Sequence, residues 1–218
     1  MPHALVTGAS SGIGQAIATR LLREGWRVTG LCRGAPPVGV EHRPADLMAD
    51  FSPALAGLAP DALVHAAGIM RGAALGVLDH AAGAALWRLH VDAAARLADA
   101  LAPAMPDGGR MVFIGSRRAS GAAGAGLYAG SKAALVAMAR SWAAELAPRG
   151  ITVNVVSPGA TDTPMLRDPA RGGTAPKPPP IGRLITPEEV AALVVFLLGP
   201  EAGAITGQEI RVCGGASL

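Results

Sequence analysis

An apolar run, Ala4-Leu5-Val6, passes directly into Thr7-Gly8-Ala9-Ser10-Ser11-Gly12-Ile13-Gly14, and the chain continues through Gln15, Ile17 and Leu21 at helical spacing. Strand, glycine loop and helix in immediate succession leave few folds open. Glycines let the backbone turn sharply and bring main-chain amides close to the helix N-terminus. There, free N–H groups and the helix dipole favour a bound anion such as a pyrophosphate. Gly8, Ser10, Ser11, Gly12, Ile13 and Gly14 are therefore the candidate phosphate cradle, although their spacing differs from G-x-G-x-x-G.

The same alternation continues to the C-terminus. Short β-rich runs fall near 3–7, 26–32, 39–43, 61–65, 109–115, 151–156 and 208–212, and helical patterns near 12–24, 80–103, 127–147 and 187–198, with a weak one near 50–58. Strands alternating with helices imply βαβ units and an α/β, Rossmann-like, doubly wound fold: a mostly parallel sheet of about seven strands with helices on both faces. The 218 residues suit one domain over 1–218. Between Arg33 and Pro37 the chain is too short and Pro-rich for a crossover helix. The stretch 163–187, dense in Pro and Gly, reads as a loop or lid over a substrate pocket.

Tyr128 and Lys132 carry the clearest chemistry. They stand four apart at the start of a long Ala-rich helical pattern, so both side chains project from one face and an ammonium can approach a phenol. Ionising a phenol of pKa ~10 near neutrality requires about 4 kcal/mol. One cation ~5 Å away at an effective dielectric of ~20 supplies roughly 3 kcal/mol, and an oxidised nicotinamide could add the rest. A phenol tuned in this way exchanges protons with an alcohol or carbonyl oxygen.

About 20 residues past the glycines, dinucleotide folds place an acid for the adenosine ribose, or an Arg where a 2′-phosphate must be held. Here that place reads Leu31-Cys32-Arg33-Gly34, with no carboxylate, so Arg33 points to NADP(H) over NAD(H). The net charge of +3 comes from scattered arginines, not from a basic stripe interleaved with aromatics, which argues against nucleic acid. Cys32 and Cys213 are far apart and lack ligand spacing, so neither a metal site nor a disulfide framework is expected. The N-terminus has no basic leader, and no uncharged run approaches ~20 residues. A soluble, cytoplasmic protein without membrane partners is the expectation.

With these motifs in place, the chain resembles the short-chain dehydrogenase/reductase family almost end to end. Asp46-Leu47 matches the acidic dipeptide that contacts the adenine, and Ala66-Ala67-Gly68 the end of the family's Asn-Asn-Ala-Gly strand terminus. Asn154-Val155-Val156-Ser157-Pro158-Gly159, followed by Thr161 and Thr163, resembles the loop that holds the nicotinamide. The resemblance implies hydride transfer between nicotinamide and a ketone, aldehyde or secondary alcohol, as in carbonyl reductases or 3-oxoacyl reductases. It casts Tyr128 as acid or base, Ser116 as the residue that orients the oxygen, and Lys132 as the grip on the nicotinamide ribose, so Tyr128 and Lys132 also count as cofactor contacts. Two departures stand out. Asp92, in Leu89-His90-Val91-Asp92-Ala93, takes the place assigned to an Asn whose carbonyl holds a relay water. His65 and Ala66 replace the Asn pair, and His65 reads as a packed structural residue. The Ser-to-Tyr separation is also one residue shorter than usual.

The substrate is a small carbonyl or alcohol compound. Arg71, Arg117 and Arg118 allow an anionic one, although solvated arginines explain them as well. Trp142 and the helix that bears it suggest a subunit interface, and the resemblance implies a homodimer or homotetramer. A non-catalytic NADP(H)-binding sensor on the same fold is the rival, made conceivable by Asp92, His65 and the short loop.

Overall fold

The computed structural model describes residues 1–172 and 177–218. Seven strands form one sheet: β1 (His3–Thr7), β2 (Arg27–Cys32), β3 (Glu41–Pro44), β4 (Ala62–His65), β5 (Arg110–Ile114), β6 (Thr152–Pro158) and β7 (Glu209–Val212). Their order is β3-β2-β1-β4-β5-β6-β7, and every neighbouring pair is parallel. Chain direction across the sheet reverses between β1 and β4, so a crevice opens at their carboxyl ends, the place where such sheets take ligands. β1, β4 and β6 are buried along their whole length, which explains their largely apolar character and leaves their few polar side chains buried as well.

Helices cover both faces. On one side α1 (Gly12–Arg23) and α6 (Pro187–Leu198) set Ile17, Leu21, Val190 and Val194 against Val6, Val64 and Val156. On the other, α3 (Ala93–Leu101) and α4 (Gly126–Leu146) set Leu97, Leu101, Leu135 and Ala139 against Leu5, Leu63, Phe113 and Val153. α6 begins at a complete capping box, with Thr186 and Glu189 exchanging side-chain and main-chain hydrogen bonds and Pro187 in the first turn. Trp142, expected at a subunit interface, is partly buried in its own core, its ring 5.4 Å from that of Phe113.

Three segments depart from the expected pattern. The helix over 80–103 is divided into α2 (His80–Trp87) and α3 by a wider π-type turn at Arg88–Asp92. The weak pattern near 50–58 forms only a 3-10 turn, Ser52–Leu55. The Pro-rich stretch contains α5 (Pro164–Arg167) and a turn at Pro169–Arg171, and its residues 173–176 lie outside the described residues.

Asn154 fastens the edge of the sheet. It is fully buried; its Nδ2 donates to the Ile205 carbonyl at 2.7 Å, and its Oδ1 accepts the Gln208 N–H at 3.1 Å. Asn154→Ala removes both bonds and leaves two part-buried main-chain groups without that partner, so we expect a loss of about 1–3 kcal/mol, measured as a shift of the urea-unfolding midpoint.

Candidate active site

The glycine loop packs so closely that side chains are excluded. A Cβ on Gly14 would lie 2.3 Å from the Gly8 carbonyl oxygen, and one on Gly8, whose φ is +66°, would lie 2.9 Å from Ala67 Cα. Ser11, extended at the N-cap of α1, makes no side-chain cap, and no acid occupies the first turn. The helix therefore presents its first amides uncapped, over a backbone cradle of the kind a pyrophosphate needs, and the residues present fit a dinucleotide.

The cradle is tied to β4 through Thr7. Its hydroxyl oxygen accepts the N–H groups of Ala66 and Ala67, each at 3.1 Å, and lies 3.0 Å from His65 Nδ1. His65 Nε2 is 3.2 Å from the Leu89 carbonyl. A carbonyl can only accept, so the imidazole carries its proton on Nε2 and takes the Thr7 proton at Nδ1. Burial, reinforced by Lys132, lowers the His65 pKa to about 3, so the ring stays neutral. His65 is thus the packed structural residue expected, and it ties β4 to Thr7 of β1 and to the Leu89 carbonyl.

Ser116, Tyr128 and Lys132 converge on the same cleft. Gly115 makes the approach of Ser116 possible, because a Cβ there would lie 2.5 Å from Ser157 Oγ and 2.6 Å from Val155 Cγ1. The Ser116 hydroxyl caps the turn after β5 by accepting the Arg118 N–H at 3.1 Å, and it also faces the Tyr128 phenol. Burial pushes that phenol above its ordinary pKa, while Ser116, Arg118 and Arg171 pull in the opposite direction. Lys132 Nζ donates to the Ile114 carbonyl at 2.8 Å, and burial brings its pKa down to about 7. The charge balance therefore differs from the one expected of a simple Tyr–Lys pair. Lys132 is directed to the end of β5, and the cations acting on the phenol are arginines.

His90 is the residue that sequence reasoning missed. It is fully buried in the cleft wall, edge-on to Tyr128 with ring centroids 5.7 Å apart. Its Nε2 accepts the Ile69 N–H at 3.2 Å, so the ring proton resides on Nδ1 and is donated to Ser131 Oγ at 2.9 Å. Ser131 in turn donates to the Tyr128 carbonyl at 2.8 Å. Burial, then Lys132, holds the His90 pKa well below the ordinary histidine value. Asp92, expected at this place, is instead exposed on the outer face beside Arg88 and Arg96 and does not line the cleft. The helical phase held the signal: Arg88, Asp92 and Arg96 repeat every four residues as a polar stripe, while His90 is in step with Leu86, Ala93 and Leu97.

The remaining candidates divide by position. Gly8, Ser11, Gly12, Ile13, Gly14, Ala66, Ala67, Gly68, Pro158, Gly159, Thr161 and Thr163 all line the cleft. Thr163 closes over the glycine loop, its Cγ2 only 3.4 Å from where a Gly12 Cβ would stand. Ser10 lies outside that lining, its Oγ 3.5 Å from the Cβ position of Gly34. Arg33, exposed just past the end of β2, is the residue before Gly34 in the chain. Asp46 accepts the Met48 N–H at 3.0 Å, and the Leu47 side chain is buried in the core with Phe51 and Leu58. Whatever contact this dipeptide makes with an adenine, the Leu47 side chain does not make it.

A doubly wound sheet with a glycine cradle at its switch point, next to a Ser, Tyr and Lys, defines a dinucleotide-binding α/β protein. Comparison with known proteins narrows this class. Residues 2–39 match the short chain dehydrogenase family and residues 38–217 the family described as enoyl-(acyl carrier protein) reductase. A 3-oxoacyl-[acyl-carrier-protein] reductase of Salmonella typhimurium is 36% identical over 97% of this chain and 96% of its own. Among solved structures, a short chain dehydrogenase family protein from Francisella tularensis superposes with a TM-score of 0.91 at 27% identity, covering 100% of this chain and 99% of the other. An actinorhodin polyketide ketoreductase solved with NADPH superposes with a TM-score of 0.86 at 32% identity, covering 99% of this chain and 97% of the other. The chain belongs to the short-chain dehydrogenase/reductase family.

The lowered Lys132 pKa has a measurable consequence. At pH 8 the amine is mostly neutral, and an anionic dinucleotide beside it raises its pKa back toward ~10.4. Binding of NADPH at pH 8 should therefore take up close to one proton, less at pH 6, where the amine is already charged. Calorimetry in buffers of different ionisation enthalpy measures this uptake, and Lys132→Met should abolish it.

Proposed function

We propose that Ser116, Tyr128 and Lys132 carry out carbonyl reduction in this cleft, with Tyr128 as the proton donor. The chain is an NADP(H)-dependent oxidoreductase acting on carbonyl groups. Convergence of a buried phenol, a serine hydroxyl and a lysine beside the glycine cradle carries the reading. A dinucleotide held on the glycine cradle would supply or accept the hydride.

The roles follow from each group's surroundings. The Ser116 hydroxyl, fixed at a strand terminus, holds the substrate oxygen against the phenol. Burial keeps the Tyr128 proton in place at neutral pH, which is the state that donation to a carbonyl oxygen requires. Lys132, anchored on the Ile114 carbonyl, has N–H groups left with which it would hold the ribose next to the nicotinamide. His90 is neutral and has committed both ring nitrogens, so it positions α4 rather than transferring a proton. Ser10 and Arg33, at the far end of the cradle, are the groups placed to favour a 2′-phosphate. Asp46 is assigned to the adenine side, and Pro158, Gly159, Thr161 and Thr163 to the nicotinamide side. The substrate is a small molecule, with a 3-oxoacyl thioester or a free ketone as the best candidates. A cytoplasmic homodimer or homotetramer completes the proposal.

The features that made a sensor conceivable each have another account. Asp92 lies outside the cleft, His65 is a structural tie, and the shortened loop still brings Ser116 to Tyr128. Tyr128→Phe should lower kcat for ketone reduction roughly a hundred- to ten-thousandfold while changing the NADPH Kd in a fluorescence titration only about threefold or less, the loss of one hydroxyl contact. Wild-type reduction should decline only at alkaline pH, as the phenol ionises, whereas alcohol oxidation should rise over the same range.

A further inference from the structure

The segment between β6 and α6 leaves the sheet and returns to it at one place. The Asp162 N–H donates to the Ile185 carbonyl and the Ile185 N–H to the Ala160 carbonyl, each at 2.9 Å, so Thr161 and Ile185 form a short parallel bridge that closes the base of the excursion. From that base Thr163, Pro164, Met165 and Leu166 run along the cleft as its roof, with Thr163 over the glycine cradle. Further on, the roof is fastened to the loop that follows β4. Arg71 Nη1 donates to Asp168 Oδ2 at 3.1 Å and to the Met70 carbonyl at 2.7 Å, and the Gly72 N–H donates to the Arg171 carbonyl at 2.8 Å. Asp168 Oδ1 accepts the Ala170 N–H at 2.9 Å, so the carboxylate is held by its own turn while it takes Arg71.

The same loop reaches the phenol. Gly72 lies between two backbones: a Cβ on it would stand 2.7 Å from the Gly124 carbonyl oxygen, and one on Gly172, whose φ is +66°, would stand 2.5 Å from the Gly72 carbonyl oxygen. Ala73 forms a parallel bridge with Ala125, the N-cap of α4, and Met70 packs with Leu86, Ala125 and Tyr128 in a small buried cluster. The loop therefore touches the roof on one side and the first turn of α4 on the other. Its ion pair is 33% exposed at Arg71 and 37% at Asp168, so it is weak and screened by salt, a strength suited to repeated opening.

Resting on the carbonyl-reductase reading above, we infer that Arg71 and Asp168 are positioning residues, a latch that holds the segment 162–172 down over bound dinucleotide and substrate and registers it against the helix turn that carries Tyr128. Neither side chain lines the cleft, so the pair acts on how long ligands stay and not on proton transfer. Arg71 is thereby committed to the roof and not to an anionic substrate.

The test uses Arg71→Gln, Asp168→Asn and the double variant; the Asn retains an oxygen for the Ala170 N–H. NADPH release is followed by stopped-flow fluorescence, with excess NADP⁺ as the displacing ligand and no carbonyl compound present, and ketone reduction by absorbance. Each single variant should release NADPH roughly two- to fivefold faster than wild type and raise KM by a similar factor without lowering kcat. The double variant should be no worse than either single one, because both remove the same contact. At ~1 M NaCl the difference between wild type and variants should vanish. Equal release rates at low salt would overturn the inference, as would single effects that add, or a fall in kcat larger than the change in KM. Faster release from the variants with no carbonyl compound reduced by any of the proteins upholds the latch and removes the reductase reading. Ketone reduction with release unaltered does the reverse.

Discussion

One hydroxyl sits where the sheet changes direction. Thr7 Oγ1 accepts two main-chain N–H groups at the end of β4 and donates its proton to His65, whose other nitrogen reaches the turn that leads into α3. Between β1 and β4 the strand order reverses, so the carboxyl ends would otherwise leave main-chain donors unpaired at the bottom of the crevice. The hydroxyl satisfies them without filling the space, and the close approach of Gly8 to Ala67 follows from the same contact. The cradle, the cleft floor and the wall that holds His90 are all referenced to this point.

Above that floor the chemistry is governed by burial acting on charge. Lys132 and Tyr128 both lie in surroundings that disfavour their ionised forms, the amine moving down and the phenol up. The phenol therefore stays neutral, and the amine sits where a nearby charge can shift its protonation. Arg118 and Arg171 counter this from the substrate side, while the glycine end offers only main-chain dipoles. The cleft is thus divided electrostatically, with a dipolar end suited to phosphates and a cationic end around the reacting oxygen.

Family membership, the seven strands, the four principal helices and the positions of Ser116, Tyr128 and Lys132 were legible because they depend on local pattern. Apolar runs bounded by glycine mark strands, and a four-residue spacing marks one helix face, whatever surrounds them. Asp92 was misplaced for an equally local reason. A motif was aligned by residue resemblance, while the polar stripe of Arg88, Asp92 and Arg96 already indicated the outward face. The π-type turn at Arg88–Asp92 had no local signal of this kind, and the contacts made there, His65 with the Leu89 carbonyl and His90 with Ser131, join segments distant in the chain.

By itself, the sequence determined the sheet, the glycine cradle and the pairing of a phenol with a lysine, because backbone preference and hydrophobic period act within a few residues. Only the tertiary structure decided which cation acts on which group. Lys132 turned to a strand carbonyl, two arginines from separate loops met around Tyr128, and a histidine took the wall expected of an aspartate. Electrostatic partnership depends on distance and desolvation across segments distant in the chain, and neither quantity exists until the sheet has closed and excluded water.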